Sequence, residues 1–196
     1  MKIAVLGGSF NPPHCGHLLI AKQILDFCQV DEVWLTPCYK HTFQKALAPT
    51  KRRIAMTKIL EQPRIKYCGL EIKHKLSGDT IELMELLKKK YPQHQFSFII
   101  GSDNLCNFKK WGQWKKLITN NDFFVFPRPR FQYDLKKYGL KNNHYRFKLI
   151  KNPLLIYANI SSTKIRQRLI KGLTIDILVP PKVLKYIYQH KLYAQH

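Results

Sequence analysis

The chain has 196 residues, 45% of them aliphatic, aromatic or cysteine, which suffices for a core and excludes a disordered or fibrous protein. Lysine and arginine number 34 against 12 acidic residues, a formal charge of +22. No apolar run approaches the roughly 20 residues that cross a bilayer, and Met1-Lys2 leads directly into a short apolar strand, so no signal peptide is expected.

Strand-like and helical patterns alternate from the first residues onward. Lys2–Leu6 reads as a strand, followed by a glycine turn and an amphipathic helix over His17–Phe27. Next come a strand at Glu32–Thr36, a helix at Thr50–Glu61, a strand at Ile65–Cys68 and a helix at Asp79–Lys90. Gln95–Ile100 reads as a strand, Trp111–Ile118 as a helix and Phe123–Phe126 as a strand. Residues 127–153, rich in Lys, Arg, Tyr and Asn, show the least regular pattern and are expected to form a mobile basic flap. A last strand at Leu154–Tyr157 precedes helices at Ser162–Lys171, with Ser162 as N-cap, and at Pro181–His190, with Pro180-Pro181 in the first turn. The strands are continuous apolar runs, which suits a parallel sheet covered on both faces. Their alternation with helices predicts an α/β fold, a doubly wound parallel sheet in a single domain over residues 1–196. Ligands of such sheets bind beyond the carboxyl ends of the strands, where the strand order reverses.

Four segments carry chemistry. The first is GGSFNPPHCGH, Gly7 to His17, which leaves the carboxyl end of the first strand. Its glycines admit a close backbone approach. His14 and His17 share one turn of the coming helix, whose amino terminus favours a phosphate. The second is ISSTKIR, Ile160 to Arg166: hydroxyls at a helix start, with Arg166 one turn later as a forked cation for phosphate. The third is Ile99-Ile100-Gly101-Ser102-Asp103, in which Asp103 is placed to hold a ribose hydroxyl or hydrated magnesium. The fourth is the Phe108–Trp114 segment, with one tryptophan to stack on a planar ring and Trp114 assigned to the core. Asp79-Thr80 and Arg128 are smaller features.

The uneven charge, 15 basic against 8 acidic residues in 1–100 and 19 against 4 in 101–196, draws polyanions: nucleic acid, or a substrate with several phosphates. No helix-turn-helix, RNP or zinc-finger pattern supports nucleic acid. Five dispersed cysteines (15, 28, 38, 68 and 106) without a C-x-x-C pair fit a reducing cytoplasm better than a disulfide framework or zinc site. A homo-oligomer stays open.

In this order and at these separations, GGSFNPPHCGH, VDEVWLTP, Arg53 and Met56 of RRIAM, GDT around Thr80, IIGSDN, the Trp111 neighbourhood, RPR at Arg128 and ISSTKIR resemble the bacterial nicotinate mononucleotide adenylyltransferase family. That family belongs to the H-x-G-H nucleotidyltransferase superfamily, and the resemblance runs from Met1 to about Tyr193. It implies a Rossmann-like nucleotidyltransferase fold and transfer of AMP from ATP, with Mg2+ carried on the phosphates, to nicotinate mononucleotide in NAD synthesis. The sister activity on nicotinamide mononucleotide is the alternative.

By position, the resemblance assigns Gly8, Ser9 and Phe10 to the ATP site through their backbone, and His14, His17 and Arg166 to the triphosphate and its developing charge. Gly101 and Asp103 meet the nucleotide sugars or the metal, and Ser162 and Thr163 the ATP phosphates. Thr80 and Trp111 hold the pyridine base, and Arg128 the mononucleotide phosphate. The chain departs from the family between Pro37 and Pro49, where Lys40 or Lys45 supplies the expected cation, and at Gly78. Cys15, inside the motif, is read as a bystander.

Overall fold

The structure is a computed structural model, and it describes residues 1–40 and 47–193. Six strands form one sheet: β1 (Lys2–Gly8), β2 (Glu32–Pro37), β3 (Ile65–Tyr67), β4 (Gln95–Gly101), β5 (Asp122–Phe126) and β6 (Arg146–Leu149). Every pairing is parallel and the order is β3-β2-β1-β4-β5-β6. The helices are α1 (Cys15–Phe27), α2 (Thr50–Lys58), α3 (Leu70–Lys73), α4 (Thr80–Lys90), α5 (Trp114–Asn120), α6 (Ser162–Ile170) and α7 (Pro181–Gln189), with a 3-10 helix over Ser102–Lys110.

The apolar runs are continuous because both faces of the sheet are covered. In β1, Ala4 and Leu6 join the core layer that contains Ala21 and Ile24 of α1, Met56 of α2 and Ile165 of α6. Ile3 and Val5 join the opposite layer, with Met84 and Leu87 of α4 and Leu117 of α5. Alternate side chains of β1 thus face different cores, and Ile3 to Leu6 are all apolar.

The order reverses between β1 and β4, and the register shows how that opens the sheet. The β1–β4 ladder ends at Val5↔Phe98, although β1 continues to Gly8 and β4 to Gly101. On its other side β1 stays paired with β2 to Gly8↔Pro37. A crevice therefore forms between the carboxyl ends of β1 and β4, the switch point at which ligands of such sheets bind. Gly7 is required there: a Cβ at that position would lie 2.6 Å from the ring of Phe98.

Several sequence expectations are corrected. The last strand is Arg146–Leu149, not Leu154–Tyr157. In the latter segment Leu154, Ile156 and Tyr157 are exposed and only Leu155 is buried. Its backbone is satisfied by a side chain: Gln23 of α1 accepts from the Ile156 N–H (2.6 Å) and donates to the Ile156 carbonyl (3.0 Å). The true strand lies inside the stretch expected to be a flap, which is pinned to the body by the fully buried Leu140 and by Ile150 as well. The helix expected at Trp111 starts at Trp114: Trp111 is itself extended (φ −74°, ψ 145°) and ends the preceding turns, and Gln113 caps the new helix in a left-handed conformation (φ 48°). The N-cap of α6 is Ser161, whose Oγ accepts from the Lys164 N–H, and not Ser162. Trp114 is half-buried, with Lys109 and Lys115 over its ring, rather than fully in the core.

The Gln23 bridge is open to test. Gln23→Ala is expected to cost about 2 kcal/mol, because it strands two backbone groups under partial burial. Hydrogen exchange would show protection lost around Ile156 while the strands of the sheet keep theirs.

Candidate active site

At the carboxyl end of β1 the chain turns through Ser9 and Phe10, and α1 begins with His14 as N-cap and His17 one turn in. Phe10 adopts a positive φ of 46° and is fully buried, its ring 4.7 Å from that of His17. The two imidazoles lie with their centroids 3.8 Å apart, tilted by 35°. The His14 N–H donates to His17 Nδ1 (3.1 Å), which makes that nitrogen the unprotonated acceptor of the ring. Neutral His17 then carries its proton on Nε2 as a hydrogen-bond donor.

Both rings are neutral in the ordinary pH range. Burial, then the charge of Arg128, pushes His17 down to about 3. Burial, then His17 and Arg128, pushes His14 lower still. His14 Nδ1 is buried and has no hydrogen-bond partner among the described residues.

The loop between β1 and α1 is tied down on all sides. Arg53 of α2, 1% exposed, donates to the carbonyls of Ser9 (3.1 Å), Cys38 (2.7 Å), Tyr39 (3.3 Å) and Ala48 (3.2 Å). Ser162 Oγ donates to the Pro12 carbonyl (2.8 Å), and Arg166 Nη1 donates to the Asn11 carbonyl (2.6 Å). Asn11 Oδ1 accepts from the Ala48 N–H and from the Tyr193 hydroxyl. These bonds engage groups that the sequence reading assigned to phosphate. The helix start is engaged too: the Cys15 N–H donates to Leu178 O, the His17 N–H to His14 O and the His14 N–H to His17 Nδ1. Fewer N–H groups are therefore left for an anion at α1 than the motif suggested.

The crevice opens into a cleft of about 280 Å³. Its wall includes Gly8, Ser9, His17, Lys40, Thr80, Gly101, Asp103, Trp111 and Arg128 of the expected set. Phe10, His14, Ser162, Thr163 and Arg166 lie outside that wall, grouped instead around the motif loop. Lys45 lies outside the described residues.

Asp103 faces Arg128 Nε at 3.7 Å, and Arg128 is fixed by its N–H on Ser102 Oγ (2.9 Å) and by Nη1 on the Ala158 carbonyl (3.4 Å). A Cβ on Gly101 would run into the Asp103 carboxylate and close on Arg128. Trp111 stacks on Phe108 at 5.0 Å and meets Phe98 edge-on, which locks its plane while it lines the cleft. Thr80 opens α4 behind its N-cap Asp79.

The sequence reading missed Glu71. It sits on the single turn of α3, is 5% exposed, and lines the cleft. Burial pushes its carboxyl up to about 7. No motif marks it, and only the packing of α3 against β2 and α4 brings it to the site. Charge in the cleft wall also departs from expectation. Lys40 and Arg128 stand against Glu71, Asp79 and Asp103, so the large positive excess lies elsewhere on the surface. Cys15 keeps its thiol protonated through burial and has no place in the wall.

The cytidylyltransferase-like family model matches residues 5–168. A probable nicotinate-nucleotide adenylyltransferase of Flavobacterium johnsoniae is 34% identical over 199 residues, covering 100% of both chains. One of Anaeromyxobacter sp. (strain K) is 36% identical over 201 residues, covering 98% of this chain and 96% of its own. The Plasmodium falciparum nicotinic acid mononucleotide adenylyltransferase complexed with NaAD superposes with a TM-score of 0.80 at 26% identity, covering 98% of this chain and 97% of its own. The same enzyme complexed with APC gives 0.81.

The histidine pair predicts an acid limb in stability. Between about pH 3 and the ordinary histidine value of 6.5 the unfolded chain binds a proton at His17 that the folded chain refuses, so stability falls as pH drops through that window. Urea unfolding at pH 7, 6 and 5 should show this loss, and His17→Gln should flatten it by up to about 1.4 kcal/mol per pH unit.

Proposed function

The chain belongs to the cytidylyltransferase-like family, and on that premise we propose that it transfers the adenylyl group of ATP to nicotinate mononucleotide, releasing pyrophosphate and forming the dinucleotide, a step of NAD synthesis. The observation that carries this reading is the placement of His17. A neutral imidazole with its proton on Nε2 lines the cleft at the switch point of a parallel sheet, in a chain whose relatives carry this activity by name.

The chemistry suits such a site. An oxygen of the mononucleotide phosphate attacks the α-phosphorus of ATP, and the bond from that phosphorus to the bridging oxygen breaks as pyrophosphate leaves. The nucleophile is already anionic, so no general base and no covalent enzyme intermediate is needed. What remains is alignment of two polyanions and stabilisation of the charge that develops between them. His17 supplies a donor whose protonation does not vary near neutrality. Arg166, hydrogen-bonded to Asn11 and Thr163, stands at the same loop and adds a fixed cation. Arg128 lies in the wall near both imidazoles and takes the acceptor phosphate.

Gly8, Ser9 and Gly101 admit the nucleotide backbone to backbone. Thr80 and the locked plane of Trp111 hold the pyridine ring. Magnesium would be carried on the triphosphate and would offset its charge. Among the described residues no group of three metal-ligating side chains occurs, and Asp103 at the end of β4 suits an ion whose other ligands are phosphate oxygens and water. Among the described residues no helix is long and apolar enough to cross a membrane. We place the reaction in the cytoplasm, with its substrates.

Incubation with ATP, magnesium and each mononucleotide, followed by chromatography, tests the reading. Pyrophosphate and the acid dinucleotide are expected, with the amide mononucleotide turned over more slowly. A preference for the amide would reassign the acceptor, and no product from either would overturn the proposal. His17→Ala and Arg166→Ala are each expected to lower kcat by roughly a hundredfold, about 3 kcal/mol of transition-state stabilisation, while the thermal midpoint changes far less.

A further inference from the structure

Lys40 lines the cleft but is exposed, and it belongs to an irregular segment beyond β2. A long, flexible ammonium on such a segment binds a phosphate well only if the backbone beneath it is held. The residue before it is held from both sides. The Tyr39 N–H donates to Glu71 Oε1 at 3.1 Å, and the Tyr39 carbonyl accepts from Arg53 Nη2 at 3.3 Å. Arg53 also takes the Cys38 carbonyl at 2.7 Å and the Ser9 carbonyl at 3.1 Å, which joins this segment to the motif loop. Glu71 comes from α3 and Arg53 from α2, so two elements converge on one peptide unit.

We propose that Glu71 is a positioning residue: it holds the Tyr39 peptide against Arg53 and thereby presents Lys40 to the phosphorylated acceptor. The proposal rests on the reaction assigned above. A buried carboxylate in a cleft that receives anions carries an electrostatic disadvantage, and this function explains why it is there. The groups around Glu71 are Arg53 on α2, Glu82 on α4, and the thiols of Cys38 and Cys68. Burial raises its carboxyl to about 7, while the Tyr39 N–H and then Arg53 favour the ionised form and Glu82 opposes it. The hold on Tyr39 is therefore a charge-assisted hydrogen bond above neutrality and an ordinary one below it.

Nuclear magnetic resonance on the free protein tests the hold. The Tyr39 amide shift should titrate with a midpoint of about 7 in the native chain and stay flat in Glu71→Gln, whose amide oxygen still accepts. In Glu71→Ala that amide should exchange at least roughly tenfold faster.

Kinetics test the consequence. With ATP saturating, Glu71→Ala should raise the KM for nicotinate mononucleotide about tenfold with kcat changed far less, and Glu71→Gln should recover most of that loss. Lys40→Ala should raise the same KM, and adding Glu71→Ala to it should cost nothing further, because the two act through one contact. Losses that multiply in the double variant, or a Tyr39 amide indifferent to Glu71→Ala, would overturn the proposal. A native chain without turnover would overturn the assigned reaction instead. The Tyr39 amide would then still decide whether Glu71 holds the segment.

Discussion

One buried guanidinium organises the site. Arg53 is almost wholly enclosed, and its N–H groups reach four backbone carbonyls, at Ser9, Cys38, Tyr39 and Ala48. These belong to the turn after β1, the end of β2 and the approach to α2. A guanidinium suits this task because its donors form a rigid, planar fork that stays charged at every accessible pH. Enclosing such a charge is costly unless its donors are matched. Here they are matched mostly by carbonyl dipoles, with Glu71 contributing a more distant negative charge. The loops on the β2 side of the crevice are thereby fixed to the same point.

The motif loop is held as firmly from its far side. Ser162 and Arg166 of α6 bind the carbonyls of Pro12 and Asn11, and Tyr193, beyond α7, binds the Asn11 side chain. Segments separated by 150 or more positions in the chain thus meet at two adjacent loop residues, Asn11 and Pro12. The arrangement is preorganised: the hydrogen bonds that shape the loop are made before any ligand arrives, so little reorganisation remains to be done during the reaction. It also explains why the imidazoles are neutral. Enclosed between Phe10, each other and the field of Arg128, they gain nothing by taking a proton. A neutral donor suits a site that must hold phosphates and then release a dinucleotide.

The overall charge works at a different scale. The cleft wall holds more carboxyl groups than cations, whereas the molecule as a whole carries +22. Attraction of anionic substrates is therefore a property of the surrounding field, and recognition belongs to individual groups within the cleft. Runs such as Lys88-Lys89-Lys90, at the carboxyl end of α4, also complement the helix dipole there.

The one-dimensional pattern determined the alternation of strands and helices, the parallel sheet with two cores, and the strand end at which the motif loop leaves. Each of these follows from periodicity and from glycine and proline chemistry, which act over a few neighbours. Assembly alone decided the rest. Leu154–Tyr157 has the composition of a strand, but Gln23 satisfies its backbone, and an edge strand with alternating exposure takes its place. Glu71 has no local signature, and its role arises from the packing of one short helical turn. Ser162 and Arg166 read as phosphate ligands, yet their closest partners are carbonyls of a loop about 150 residues earlier. The physical reason is common to all three: a hydrogen-bonding group is assigned by whichever partner the fold brings within about 3 Å, and partners distant in sequence leave no trace in the local pattern.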